Sequence, residues 1–338
     1  MILVISNEFD QSTCDVIDWL YFYDRNFVRI NESDMIRLER ITMSDGEVRV
    51  CILLNEMKIN LEYVQSYWYR RGEINLPCYM ETDESDFSSI FQRNMERERD
   101  TLKDFLHSWI ETFPGLGSYF QRSMNKLNVL TKALKCGFRV PETHILSSDY
   151  ELEASLESDN ITKAISEAIH IVVPQHGFIM NYTTHPNGSF LSRENRRFPS
   201  LIQQNIVKKY EVRVFYLKGE VYAMAIFSQG NEKTKNDFRN YDHSRPNRTV
   251  PYSLPKELRT SVTLLMNSLQ LDTGSIDLLV DHNRQYFFLE VNPVGQYGMT
   301  SYPCNYHLDQ KIAKILIADF SNMNDTLNQE IHGSCQTV

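Results

Sequence analysis

Three oxygen-bearing side chains near the end of the chain have a spacing that could hold a divalent cation. Asp277 lies in one apolar run, and Glu290 and Asn292 lie in a second run after a polar turn at 282–284. Paired runs of this kind predict a β-hairpin, and a two-residue turn at 283–284 places Asp277 directly opposite Glu290. Like charges opposite each other repel, so a cation is expected between them. An all-oxygen ligand set suits Mg²⁺.

Side chains alternate along the two strands, which predicts two different faces for the hairpin. The face expected to pack on a core carries six apolar residues: Ile276, Leu278, Val280, Phe287, Leu289 and Val291. The other face would carry the three oxygen ligands together with Leu279 and Phe288. An ordinary amphipathic hairpin with two solvated acids is the alternative, and the hairpin by itself leaves both interpretations open.

The composition is that of a globular protein. Hydrophobic residues make up 42% and charged residues 23% of 338 residues, so two or three structural units are expected. A net charge of −9 argues against a general nucleic-acid-binding protein. Neither a membrane-spanning run nor a signal peptide is apparent, so we expect a cytoplasmic protein. The six cysteines lack the close pairs typical of a zinc site.

The first third of the chain predicts a small α/β unit. Arg70 and Arg71 follow three aromatic residues there, and either solvated cations at a strand end or a binding role would explain them. Pro114 and Gly115 end a long helix, which predicts a domain boundary at 117. The expected strands are 1–6, 27–30, 38–43 and 47–54, and the expected helices are 13–24 and 85–113.

The remainder of the chain predicts a second α/β region that ends in the hairpin. Residues 165–198 mix strand-like pieces with Pro, Gly and Asn, which predicts loops. The basic stretch 228–250 predicts a solvated loop or a surface that faces a phosphate or an acidic peptide. The expected helices are 124–137, 147–157, one after Pro255 and one at 306–320. The expected strands include 161–164, 201–206 and the two strands of a hairpin, 212–217 and 220–227, with the turn at 218–219.

Four of these stretches, in order over about 120–300, resemble the ATP-grasp ligases. They read NKLNVLTKALKCGFRVPETHIL, ITKA, QQNIVKKYEVRV and GSIDLLV…FFLEVNPVGQY. Within that family the chain is most similar to the microviridin-type maturases of ω-ester- and ω-amide-linked peptides (graspetides). The N-terminal stretches ISNEFDQSTCDVIDWL and YWYRRG resemble the grasp-with-spasm branch in particular.

The resemblance implies an α/β (α+β) fold, namely an ATP-grasp fold with an N-terminal pre-ATP-grasp α/β domain. The pre-ATP-grasp domain is expected at 1–117 and the small lid subdomain at 118–200. The C-terminal subdomain with the magnesium site is expected at 201–322, followed by a polar tail at 323–338.

The resemblance also implies roles at the phosphate end of the site. The three hairpin ligands would hold Mg²⁺, and Lys126 and Lys163 would contact the phosphates of ATP. The loop around 175–195 is not glycine-rich as in many relatives, so its phosphate contacts are left open.

Five further residues receive implied roles around the nucleotide and the substrate. Gln204 and Ile206 would frame the adenine, Ile206 through its backbone, although many ATP-grasp proteins have Glu at the first position. Glu211 would face the ribose or the substrate pocket. Arg213 would stabilise the acyl phosphate or its γ-phosphate precursor, and Arg239 would contact the substrate.

The implied activity is ligation of a ribosomal precursor peptide that has a leader and an acidic, hydroxyl-rich core. Asp or Glu side chains would be activated by ATP as acyl phosphates and joined to Ser/Thr or Lys as macrocyclic esters or amides. Nucleic acid and membrane are not expected partners, and a homodimer is left open. The alternatives are a ligase that adds amino acids to a protein tail or a small acid, and a non-catalytic nucleotide- or peptide-binding protein.

Overall fold

A computed structural model describes residues 1–77, 86–166, 170–173, 177–180, 183–186, 198–229 and 246–318. The chain divides into two compact units. The first contains residues 1–122 and the chain from 307 onward, and the second contains residues 123–306.

The grouping from 307 onward differs from the predicted subdomain 201–322, because the helix at 308–318 bonds within the first unit. Trp19 Nε1 donates a hydrogen bond to Asp309 Oδ2 at 2.6 Å. Ser66 Oγ donates to the Leu316 carbonyl at 2.8 Å. The other predicted subdomain boundaries stay predictions.

The first unit contains a parallel and an antiparallel sheet. Its helices are α1 (Gln11–Phe22), α2 (Asp86–Ile110) and the helix at 308–318. Its strands are β1 (Ile2–Ser6), β2 (Phe27–Asn31), β3 (Ile36–Ser44), β4 (Glu47–Leu54), β5 (Met57–Asn60), β6 (Ser66–Tyr69) and β7 (Gly115–Leu116). The parallel sheet has the order β2-β1-β6-β7, and β3, β4 and β5 form the antiparallel sheet. The central strand β1 is apolar and buried along its length, as parallel strands covered on both faces usually are.

A buried ion cluster joins the end of β6 to the start of α1. Asp10 is the N-cap residue of α1, and its Oδ1 accepts a 2.9 Å hydrogen bond from the Thr13 amide. Its Oδ2 lies 3.3 Å from Arg70 Nη2 and 2.8 Å from Arg71 Nε. Arg70 is only 4% exposed, so the interpretation of this arginine as a solvated cation is wrong.

A buried histidine of α2 packs against the chain that follows β7. The His107 ring stacks on Tyr119 with centroids 3.7 Å apart, and Nε2 accepts a hydrogen bond from the Ile74 amide. The Arg122 guanidinium lies 3.7 Å from the centroid of the Tyr119 ring. Burial, with smaller contributions from Arg122 and Lys103, lowers the pKa of His107 from 6.5 to about 3. His107 is therefore a neutral core residue at pH 7.

The second unit is built around a five-stranded antiparallel sheet. Its helices are α3 (Lys126–Lys135), α4 (Asp149–Leu156), α5 (Lys256–Ser268) and α6 (Gly298–Cys304). Its strands are β8 (Thr143–Leu146), β9 (Asn160–Lys163), β10 (His170–Val173), β11 (Gly177–Met180), β12 (Ser200–Gln204), β13 (Lys208–Leu217), β14 (Glu220–Phe227), β15 (Arg248–Tyr252), β16 (Thr273–Asp281) and β17 (Tyr286–Asn292). The large sheet has the order β15-β14-β13-β16-β17, a second sheet has the order β8-β12-β9, and β10 pairs with β11.

One face of the five-stranded sheet forms the core of the second unit. Val212 and Val214 of β13 and Leu278 of β16 pack there with Val262 and Leu265 of α5. These positions alternate along the strands with charged residues on the opposite face, as the period of two requires. The core thereby fixes the positions of the charged side chains described below.

Two further observations concern the described residues only. No helix in these ranges is long and apolar enough to cross a membrane. The four cysteines within them, Cys14, Cys51, Cys136 and Cys304, are free thiols.

Candidate functional site

The hairpin of β16 and β17 pairs Asp277 with Glu290, as the sequence predicts, but with a longer turn and a shift in register. The turn contains three residues, 282–284, because Asp281 pairs with Gln285 through the hydrogen bond from the Asp281 amide to the Gln285 carbonyl. Arg284 takes a left-handed conformation with φ of 61°. The register then shifts by one residue between Asp277 and Leu278, which marks a β-bulge in β17.

The bulge reverses the predicted faces at the centre of β17. Leu278 pairs with Phe288, so Leu289 is the extra residue of the bulge. Phe288 is fully buried in the core, while Phe287 and Leu289 are only partly buried. The prediction that Phe287 and Leu289 are core residues is therefore wrong, because a strict alternation does not allow for an extra residue. Leu289 lines a cavity instead, beside Glu290.

Strand β13 brings Arg213 next to this hairpin. Arg213 is the pairing partner of Asp277, and its Nη1 donates to both carboxylate oxygens at 2.9 and 3.2 Å. Arg213 is 8% exposed, and its Nε is buried without a hydrogen-bond partner. The ion-pair partner of Arg213 is therefore Asp277 on the neighbouring strand.

Glu211 forms a buried ion pair with Lys208, a residue that the sequence analysis missed. Lys208 Nζ contacts Glu211 Oε1, and Ser228 Oγ donates to the same oxygen at 3.2 Å. Lys208 is 7% and Glu211 5% exposed. Burial raises the pKa of Glu211 above its usual value, and the nearby Lys208 opposes that shift. The i, i+3 spacing of a lysine and a glutamate at the start of β13 was the available signal.

Lys126 and Lys163 reach the same region from the other side. Lys126 begins α3, whose N-cap residue Asn125 accepts a hydrogen bond from the Asn128 amide. The Nζ of Lys126 donates to the carbonyls of Ala164 (3.2 Å) and Ser166 (3.0 Å) and lies 4.0 Å from Glu290 Oε2. Lys163 ends β9 and lines the cavity there.

The end of β12 and the segment that follows it contain the residues that the resemblance assigns to adenine. Gln204 has an exposed side chain, and its backbone amide donates to the Glu142 carbonyl at 2.8 Å. Ile206 is 8% exposed. Gln203, which the sequence analysis did not single out, is 1% exposed and lines the cavity beside them. Alternation along β12 turns Gln203 inward, and this register could not be fixed from a single sequence.

The second unit contains one cavity of about 600 Å³ at this place, lined by Lys208 and Gln203 and by most of the predicted site residues. This volume falls in the range of small-molecule sites. Nine of the ten predicted site residues line the cavity: Lys126, Lys163, Gln204, Ile206, Glu211, Arg213, Asp277, Glu290 and Asn292. The tenth, Arg239, lies outside the described residues, as does most of the basic stretch 228–250 and most of the loop at 175–195. Four Lys and Arg side chains and three carboxylates meet there, so the cavity carries a small excess of positive charge that suits an anionic ligand.

The hairpin end of the cavity has the chemistry of a magnesium site. Asp277 and Glu290 are opposed cross-strand acids, and Asn292 lies two residues beyond Glu290 on the cavity wall. Carboxylate and amide oxygens are the ligands that Mg²⁺ prefers, so the donor set fits. In the described ranges no three His, Cys, Asp or Glu side chains form a metal-binding group. A magnesium ion would therefore depend on these two acids, the amide and oxygens of a ligand.

Comparisons with known proteins identify the second unit. The RimK-like ATP-grasp domain matches residues 124–316. A RiPP-associated ATP-grasp ligase of Chryseobacterium gregarium, solved with ADP and a leader and core peptide, has a similar structure: the TM-score is 0.79 with 24% identity over 94% of this chain and 96% of that one. Macrocyclase MdnC of Microcystis aeruginosa MRC, bound with precursor peptide MdnA, has a TM-score of 0.75 with 23% identity over 94% and 99%. The ATP-grasp ligase PsnB, with minimal precursor, Mg and ADP, has a TM-score of 0.66 with 15% identity over 94% and 97%. No curated protein matches the chain in sequence.

Proposed function

Because the chain belongs to the RimK-like ATP-grasp family, which confirms the predicted fold, we propose that it is an ATP-dependent ligase that crosslinks a ribosomal precursor peptide. The observation that carries this proposal is the meeting of nine predicted residues around one cavity. The peptide substrate is supported by the similar structures, which hold leader, core or precursor peptides.

The proposed reaction has two steps. An oxygen of an Asp or Glu side chain of the peptide attacks the γ-phosphorus of ATP, and the bond from that phosphorus to the ADP oxygen breaks. A Ser/Thr hydroxyl or Lys amine of the same peptide then attacks the acyl carbon, loses its proton and displaces phosphate. The products are a macrocyclic ester or amide, ADP and phosphate, and each crosslink removes one water from the peptide.

Phosphoryl transfer depends mainly on positioning and on neutralising charge. We assign Lys126 and Lys163 to the phosphates, because both line the cavity near the hairpin. Arg213 would orient the transferred phosphoryl group, and Asp277 holds its Nη1 in place. An arginine suits planar phosphate and carboxylate groups better than a lysine does.

Gln204 and the Ile206 backbone would frame the adenine, and Glu211 would face the ribose, held by Lys208. Asp277, Glu290 and Asn292 would hold Mg²⁺, which would supply positive charge to offset the negative charge of the phosphates. Arg239 stays a prediction for substrate contact. ATP and a newly made peptide meet in the cytoplasm, so we propose that compartment, and a homodimer stays open.

The proposal is tested with the full chain, ATP, Mg²⁺ and any small acidic peptide with Ser, Thr or Lys residues that a neighbouring reading frame encodes. We expect phosphate release that depends on the peptide, and a peptide mass reduced by one water for each crosslink. A mass increase would indicate addition of a free amino acid instead. Nucleotide binding without turnover on any acidic peptide would support the non-catalytic alternative.

A further inference from the structure

Two separate segments that line the cavity meet at the turn before β9. Residues 183–185 line the cavity after β11, and residues 204–207 line it from the end of β12 onward. Strands β9 and β12 pair so that Asn160 lies opposite Gln204. The turn that contains Asp159 and Asn160 is therefore placed to hold both segments.

Asp159 holds Asn205, the residue between Gln204 and Ile206, at two points. The backbone amide of Asn205 donates to the Asp159 carbonyl at 3.0 Å. The side-chain Nδ2 of Asn205 donates to the Asp159 carboxylate, 3.0 Å from Oδ1 and 3.3 Å from Oδ2. Fixing an N–H group fixes the whole peptide plane to which it belongs. The two contacts therefore restrict the path of the chain from Gln204 to Ile206.

The segment after β11 is held at the same turn by other atoms. The Asn160 carbonyl accepts a hydrogen bond from His185 Nδ1 at 3.0 Å. Thr162 and Thr184 exchange backbone hydrogen bonds of 2.8 and 3.1 Å. His185 Nδ1 lies 3.9 Å from Asp159 Oδ1, which is too far for a hydrogen bond. A change of the Asp159 side chain therefore acts mainly on the segment after β12.

We propose that Asp159 is a positioning residue for the nucleotide and acts through Asn205. Asp159 lies outside the residues that line the cavity, whereas Asn205 is one of them. A segment that is already held in place loses less conformational freedom when a ligand binds. The inference rests on the proposed nucleotide site, in which Gln204 and Ile206 frame the adenine, and it adds a residue that prepares this segment.

The test measures equilibrium binding of ATP to the full chain with Mg²⁺ by calorimetry. Asp159→Ala should weaken ATP binding about threefold to tenfold, because the hydrogen bond from the Asn205 side chain is lost. Asp159→Asn is the matched variant: it removes the same charge but keeps an oxygen that can accept from Asn205. This variant should bind ATP within about twofold of the wild type. Glu157→Ala removes an exposed acid two residues earlier and should not weaken binding.

A double-mutant cycle distinguishes positioning through Asn205 from a general loss of structure. Asn205→Ala should itself weaken ATP binding. The double variant Asp159→Ala/Asn205→Ala should bind ATP no more weakly than Asn205→Ala alone, because both substitutions remove the same contact. If the two losses multiply in the double variant, Asp159 does not act through Asn205 and the inference is overturned.

Unchanged ATP affinity in Asp159→Ala would also overturn the inference and would leave the proposed function intact. Equal weakening in Asp159→Ala and Asp159→Asn would assign the effect to charge instead of the hydrogen bond, with the same consequence. If the wild type bound no ATP, the proposed function would fail together with the inference.

Discussion

Both units bury carboxylates beside cations, but they use them differently. In the first unit, Asp10 caps α1 with one oxygen and pairs with Arg70 and Arg71 through the other. Both carboxylate oxygens of Asp10 therefore bind residues of the first unit itself. In the second unit, Asp277 and Glu211 hold Arg213 and Lys208 on the wall of the cavity, and the four side chains face the same space.

The difference separates charges that stabilise a fold from charges that prepare a site. A buried pair is costly to desolvate and is weak evidence for stability by itself. The Asp10 cluster connects the end of β6 to the start of α1, so its loss should mainly lower stability. The pairs of the second unit position groups around a cavity, so their loss should mainly lower activity.

Asp277→Asn should have the largest effect. The substitution replaces a charged magnesium ligand with a neutral amide and removes the charge that orients Arg213, so we expect peptide-dependent phosphate release to fall roughly 10²- to 10³-fold. The melting temperature should fall less than in Asp10→Asn, because the Asp277 side chain is 16% exposed and the Asp10 side chain is fully buried. Glu220→Gln, at an exposed position of β14, is the control and should leave both unchanged. A variant that unfolds instead of losing activity would break the comparison.

Asp10→Asn should show the opposite pattern. Asparagine still caps a helix, so the substitution isolates the ion pairs with Arg70 and Arg71. Breaking a buried pair should lower the free energy of unfolding by about 3 kcal/mol, measured by urea denaturation. Asp18→Asn on the exposed face of α1 is the control. If Asp10→Asn lost turnover but kept its stability, the Asp10 cluster would belong to a functional site instead.

Lys208→Met should raise the KM for ATP about tenfold, because Glu211 loses the cation that orients it (a tenfold change corresponds to about 1.4 kcal/mol). If Glu211 contacts the ribose, the preference for ATP over 2′-deoxyATP should also decrease. Steady-state kinetics with both nucleotides measures this. Lys209→Met changes the exposed neighbour and should have no effect on either value. An equal KM in the two variants would remove Lys208 from the site.

His107 should affect only stability, through its pH dependence. Its folded pKa of about 3 lies below the ordinary 6.5, so the unfolded chain takes up the proton first. The stabilisation is therefore complete above pH 6.5 and is lost as pH falls from there towards 3. The wild type should lose up to about 1.4 kcal/mol more per pH unit than His107→Gln.

The measurement is the free energy of unfolding of both proteins at about pH 7 and pH 4. His282→Asn, at the exposed turn, should keep the wild-type slope. If His107→Gln has that slope as well, the buried histidine does not titrate between the folded and unfolded states as stated.

The sequence predicted the pairing of Asp277 with Glu290 because two apolar runs with one polar turn leave few registers. It missed the bulge at Leu289, because one extra residue leaves the composition of the strand unchanged. That residue nevertheless exchanges the faces on which the side chains before the bulge lie. Lys208 and Gln203 were missed for a related reason. Their roles depend on which way each strand faces and on their partners. Lys208 pairs with Glu211, which also binds Ser228, and Gln203 binds Thr143, 60 residues before it.

The central claim, that a peptide carboxylate is activated by ATP, can be tested by isotope transfer. The side-chain carboxylates of the precursor peptide are labelled with oxygen-18, and the phosphate released during crosslinking is analysed by mass spectrometry. The account predicts one labelled oxygen in each phosphate, because the acyl carbon loses that oxygen when the hydroxyl or amine attacks. Crosslinked peptide accompanied by unlabelled phosphate would contradict it.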